Sequence, residues 1–166
     1  MLEGNRGKDT VCPTKTASSC ATAFKFTPVK TATGLKDTED GILGLWSGNS
    51  STADKTEQFV PEMAKSGAIT KKVFSFYLSG LSGRSYIDFG EPNTAVYKDA
   101  SLYVSMPIKS ANKYWTNTIS GLRWKKNSND RTEYKLNSAD ALTDSGSSCI
   151  IGPSNEIAYI RNSILN

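Results

Sequence analysis

The sequence predicts an all-β protein interrupted by two short helices, and three observations carry that prediction. Short apolar runs alternate with period two, polar glycine-containing turns separate them, and apolar residues at helical spacing occur in only two places. In Val73-Phe74-Ser75-Phe76-Tyr77-Leu78 the alternation places Phe74, Phe76 and Leu78 on one face. Ser85–Phe89 follows a Gly-Leu-Ser-Gly-Arg turn and reads as the hairpin mate of that strand. Leu102, Val104 and Met106 predict a second buried row. Trp115, Asn117 and Ile119 alternate in a strand that begins at Tyr114, and Ala141 and Thr143 lead along a further strand into Asp144. The first helix is expected over Phe59–Lys65, with Pro61 in its first turn and Gly67 as its C-terminal stop. The second is expected after Gly152-Pro153, with Ser154 as cap and Ile157, Ile160 and Ile164 on one stripe. Strands with two short helices predict a sandwich or barrel with appended helices, not a βαβ sheet. Gly90-Glu91-Pro92-Asn93 combines turn residues ahead of a fresh set of strands, so the division expected is 1–91 and 92–166.

At 166 residues the chain suffices for one ordinary domain or two small ones. Its 37% hydrophobic and 22% charged residues are a globular composition, and no apolar run approaches a membrane span. The opening residues, Met1 to Gly7, hold no apolar core of a secretory signal, which implies either a cytosolic protein or a natural N-terminus further upstream. Net charge is +4, with the lysines scattered. The densest basic spot, Arg123 with Lys125 and Lys126 around Trp124, reads as a solvated strand end or turn and not as a nucleic-acid site.

Histidine is absent, which removes Ser-His-Asp and Cys-His nucleophilic catalysis and most zinc arrangements. Carboxylates are the natural carriers of any chemistry, and neither metal nor cofactor is expected. Cys12 and Cys20 flank a Pro/Thr/Ser-rich loop and are either a small disulfide or two unrelated surface thiols. Cys149, in an apolar run, is expected to pack as a small hydrophobe. Asn49-Ser50-Ser51 is a glycosylation sequon, a weak pointer to secretion.

The candidate catalytic group is Asp144, followed at once by Ser145-Gly146-Ser147-Ser148. An aspartate at a strand end, followed by small hydroxyls and a glycine, presents one carboxylate on a tight turn. The hydroxyls can hydrogen-bond it and the glycine admits close backbone approach.

This turn resembles the Asp-Thr/Ser-Gly-Thr/Ser loop of pepsin-like aspartic proteases, and the likeness continues along the chain. Asp40-Gly41-Ile42-Leu43-Gly44-Leu45 looks like a segment of that family's N-terminal lobe, and Phe59 to Gly67 with Val73–Leu78 is similar to the helix and strand that follow it. Tyr86-Ile87-Asp88-Phe89-Gly90 resembles the passage between lobes. Tyr114-Trp115-Thr116-Asn117-Thr118-Ile119 looks like the Tyr-Trp strand of the C-terminal lobe, and Gly152-Pro153 with its helix closes the match.

The resemblance implies a bilobal β fold, with 1–91 the later part of the N-terminal lobe and 92–166 the earlier part of the C-terminal lobe. It implies aspartic endopeptidase chemistry, a peptide or protein substrate with bulky apolar residues, acidic pH, a monomer, and a secretory, lysosomal, vacuolar or extracellular setting. It assigns catalysis to Asp144, substrate contacts to Gly146, Ser147, Tyr114 and Ile42, and support of the loop to Ser145 and Ser148. A full enzyme of the family carries two catalytic aspartates, and the expectation is a partial chain with one. Asp144 alone is then expected to titrate like an ordinary loop aspartate. Ile42-Leu43-Gly44 matches the strand that braces the other catalytic loop, so an orphaned strand and an unstable isolated chain are also expected. The alternative is a non-catalytic relative that binds peptides through the same cleft.

Overall fold

The computed structural model describes residues 2–34, 40–47, 58–80, 83–94, 99, 101, 103–109, 114–125, 131–136 and 140–165. The described residues form ten short strands and two α-helices. In chain order these are β1 (Leu2–Gly4), β2 (Gly7–Val11), β3 (Ala21–Phe26), β4 (Val29–Ala32), α1 (Phe59–Lys65), β5 (Phe74–Tyr77), β6 (Tyr86–Phe89), β7 (Thr116–Thr118), β8 (Gly121–Lys125), β9 (Arg131–Lys135), β10 (Asp140–Leu142) and α2 (Ser154–Leu165). The strands pair as five antiparallel two-stranded ladders: β1 with β4, β2 with β3, β5 with β6, β7 with β10, and β8 with β9. The all-β class with two short helices therefore holds, whereas the expected sandwich or barrel is not formed by the described residues. Two compact units result, one holding β1–β6 and α1, the other β7–β10 and α2.

The first unit contains every buried hydrophobic side chain of the described residues. Ala21 and Phe24 of β3 pack on Phe59 and Met63 of α1, and Val11, Leu45, Ala68, Ile69 and Phe89 close around them. Phe59 meets two rings edge-on, Phe24 at 5.4 Å and Phe89 at 5.6 Å, the arrangement favoured by ring quadrupoles. Helix α1 has the bounds that its spacing predicts. Its end is a left-handed glycine stop: Gly67 has φ +75°, its N–H donates to the Ala64 carbonyl at 3.1 Å, and Ala68 N–H donates to that of Met63 at 2.9 Å. Just before the stop, the Ser66 hydroxyl accepts from Thr22 N–H at 2.8 Å and so ties the helix end to β3.

The disulfide alternative is realised. Cys12 and Cys20 are bonded and close the connection from β2 to β3 immediately before the buried Ala21. Two residues of β3, Thr22 and Ala23, face Thr10 of β2, since Asp9 pairs with Phe24 and Val11 with Ala21. The extra residue is accommodated by Ala23 at φ +59°. A Cβ is unfavourable there, so Ala23→Gly is expected to stabilise the first unit by about 0.5–1 kcal/mol, read as a higher urea midpoint. A lower midpoint contradicts this account of the bulge.

Several expectations need correction. Phe74 and Phe76 do share a face, with rings 5.7 Å apart, but Leu78 lies past the strand and is 71% exposed. No strand forms at 103–109; Val104 and Met106 are 80% and 59% exposed, while Leu102 lies outside the described residues. Ser154 is the first residue of α2 and not its cap: the first α2 amide bond runs from Ile157 N–H to the Pro153 carbonyl at 3.0 Å. Cys149 is exposed, as are Ile150 and Ile151 of the same apolar run. The expected bracing strand at Ile42-Leu43-Gly44 is irregular and exposed backbone, with only Leu45 of this stretch turned to the core. The sequon at Asn49 lies outside the described residues.

Candidate active site

The site is built at the end of β10. That strand pairs with β7 in the register Asp140↔Thr118, Ala141↔Asn117, Leu142↔Thr116. The ladder runs one step further, since Thr143 N–H donates to the Trp115 carbonyl at 2.9 Å. Asp144 is therefore the first residue released from the sheet, and the chain turns there at once. Ser147 N–H donates to the Asp144 carbonyl at 3.3 Å, closing a four-residue turn. Inside it the aspartate side chain makes a second, smaller turn. Gly146 N–H donates to Oδ1 at 2.9 Å, and the Ser147 hydroxyl donates to Oδ2 at 2.8 Å. A Cβ on Gly146 would come within 3.1 Å of Oδ1, so this position favours a residue without one.

Both carboxylate oxygens are thus held, yet the group is exposed. The Ser147 hydroxyl, then the Gly146 amide, hold the Asp144 carboxyl below the usual aspartate range, because each bond favours the charged form. This corrects the expectation of an ordinary titration. Among the described residues no second carboxylate acts on it. A nearby like charge would shift it the opposite way.

The depressed value contributes to the order of the turn above the unfolded aspartate value, and this contribution is lost as pH falls through the folded-state value. Ser147→Ala is expected to raise the Asp144 midpoint, which carboxyl ¹³C NMR titration follows directly. A midpoint that does not move removes the hydroxyl from this account.

The other expected site residues are distributed unevenly. Gly146 and Ser147 touch Asp144; Ser145 and Ser148 are exposed in the same loop and give its carboxylate no hydrogen bond. Tyr114 is 58% exposed and directly precedes Trp115, whose carbonyl holds Thr143, so its backbone is close to the end of β10. Ile42 belongs to the first unit, 71% exposed. Beyond the loop, Ile150, Ile151, Gly152, Ile157, Ala158 and Arg161 line an open apolar groove of about 320 Å³. Two residues near the site carry no local signal. Lys109 Nζ grips both oxygens of Asp140 at 2.7 and 3.0 Å across 31 residues of sequence, a pairing that nothing in either neighbourhood announces. Among the described residues no cluster of acidic or sulfur ligands suits a metal ion, and no helix is long and apolar enough to cross a membrane.

The family model of the eukaryotic aspartyl proteases matches residues 1–166. The chain belongs to that family. Among its relatives, pepsin A of Suncus murinus is 32% identical over 127 residues, which cover 75% of this chain and 30% of that protein. Pepsin II-2/3 of Oryctolagus cuniculus is 30% identical over 126 residues, with the same two coverages, and pepsin A of Canis lupus familiaris is 29% identical over 143 residues, covering 79% and 35%. The chain spans about a third of the length of these curated relatives. No solved structure gives a significant match. In this member of the family, the Asp144 turn presents a carboxylate to solvent and holds it by two donors.

Proposed function

We propose that this chain is part of an aspartic endopeptidase and supplies one carboxylate, Asp144, of a catalytic pair. The observation that carries this reading is the turn itself. An exposed carboxylate, anchored on one oxygen by Gly146 and on the other by Ser147, stands at the mouth of a strand in a chain of aspartyl-protease sequence.

The chemistry needs two such groups. Close carboxylates share one proton, so that one ionises low and the other high. The ionised member draws a proton from water, the water attacks the peptide carbonyl, and the protonated member gives its proton to the carbonyl oxygen. Asp144, held in its charged form by its two donors, suits the low-titrating role. The second carboxylate must come from outside the Asp144 loop. These 166 residues hold a single Asp-Ser/Thr-Gly sequence, residues 144–146.

On this reading Gly146 and Ser147 also meet the substrate backbone, Tyr114 and Ile42 line side-chain pockets, and Ser145 and Ser148 support the loop. The substrate is a peptide with bulky apolar residues at the cut. Residues 1–91 and 92–166 belong to two lobes of a monomeric enzyme that works in acid within the secretory pathway, a lysosome or vacuole, or outside the cell. The stretch from Trp46 to Lys55, which differs in composition from the family's loop, lies outside the described residues from 48 onward. The test is cleavage of an apolar peptide at acidic pH by the longest natural polypeptide that contains this sequence, with inhibition by a statine-type compound. Peptide binding without cleavage, unaffected by that compound, favours the non-catalytic alternative.

A further inference from the structure

The Asp144 turn is suspended from three residues of strand, so whatever fixes β10 fixes the carboxylate. One end of β10 is accounted for by the Thr143–Trp115 bond. The other end is Asp140, both of whose oxygens accept from Lys109 Nζ, at 2.7 and 3.0 Å. Lys109 is itself anchored. Its N–H donates to the Thr116 carbonyl at 2.8 Å, and two residues earlier the Pro107 carbonyl accepts from Asn117 Nδ2 at 3.1 Å.

Successive carbonyls of a strand point to opposite edges. The Trp115 carbonyl is bonded to Thr143, beside β10, and the Thr116 carbonyl is bonded to Lys109. The 107–109 segment therefore runs along the edge of β7 opposite to β10. The Lys109 side chain must cross β7 to reach Asp140. Asp140 lies directly opposite Thr118, which shares a face with Thr116, so the crossing is made on that one face.

We propose that the Lys109–Asp140 ion pair is a positioning device for Asp144: it straps the start of β10 across β7 to an anchored segment, and so sets where the end of β10 delivers the carboxylate. An exposed ion pair adds little to the stability of a whole unit. Here its effect is local, because a strand of three residues has few backbone bonds and fraying at one end reaches the other. Neither residue touches the reacting atoms, so both act through the strand. The inference rests on Asp144 being the functional carboxylate, but its test does not depend on turnover.

The test is amide hydrogen exchange by NMR on the longest natural polypeptide that contains this sequence. Lys109→Ala is expected to speed exchange of Thr143 and Gly146 N–H about threefold, the scale of a lost exposed pair, with the β8–β9 hairpin unchanged. The reversed pair, Lys109→Asp with Asp140→Lys, is expected to restore the original rates. Unchanged rates at Thr143 and Gly146, equal acceleration throughout β7–β10, or no recovery in the reversed pair each overturns the proposal. Loss of the protease assignment would leave these rates untouched, so the two claims fail separately.

Discussion

Phe59→Ala is expected to cost the first unit about 4 kcal/mol, the largest stability loss of any single truncation in the chain. Phe59 is 2% exposed and sits where three elements meet: β3 through Phe24, β6 through Phe89, and its own helix through Met63. Truncation removes the buried ring, two edge-on ring contacts and the volume that separates β3 from β6. Among the described residues the unit has few buried hydrophobic side chains to compensate, and most of them lie within this cluster. A small domain has only about 5–15 kcal/mol in total, so the variant is expected to lose a cooperative transition near room temperature. Urea unfolding monitored by near-UV circular dichroism checks this. A loss below about 1 kcal/mol would mean that the core lies elsewhere.

The second large effect concerns catalysis. In the natural polypeptide that contains this sequence, Asp144→Asn is expected to lower kcat/KM by at least about a thousandfold, since it removes a proton-transfer group from the pair. The KM should move far less, because the amide keeps the shape of the carboxylate: its oxygen can still accept from Gly146 N–H, and its nitrogen can donate to the Ser147 hydroxyl oxygen. A fall in kcat/KM carried entirely by KM would recast Asp144 as a binding residue. The companion variant Ser147→Ala keeps the carboxylate but loosens it, so its effect should be smaller and should follow the change in the Asp144 midpoint.

How much of this was legible in the sequence depends on how local each cause is. Helix α1 was legible in full, because its apolar spacing, Pro61 and Gly67 are all contained within nine residues of the chain. The β5–β6 hairpin was legible for the same reason. The stretch around Leu102, Val104 and Met106 has the same alternation, yet residues 103–109 form no strand. Alternation describes a face, and a strand also needs a partner ladder from elsewhere in the chain. Cys149, Ile150 and Ile151 fail likewise: their composition suits burial, but Ile150 and Ile151 are 80% and 82% exposed. The disulfide stayed open because spacing does not give a Cα separation.

At the site, the Asp144 turn and its two donors were legible from Asp-Ser-Gly-Ser alone. The depressed titration follows from that chemistry, because both donors favour the charged carboxylate. The Lys109–Asp140 strap was not legible, because its partners come together only once 107–109 and β10 lie along opposite edges of β7.

Hydrolysis by this family needs two carboxylates in contact, and these 166 residues hold a single Asp-Ser/Thr-Gly sequence. Peptide cleavage at acidic pH by the purified 166-residue chain, with its mass in solution verified as monomeric, tests this most directly. No turnover above the Asp144→Asn control is the expected result. Turnover by the monomer that is lost in Asp144→Asn would contradict it.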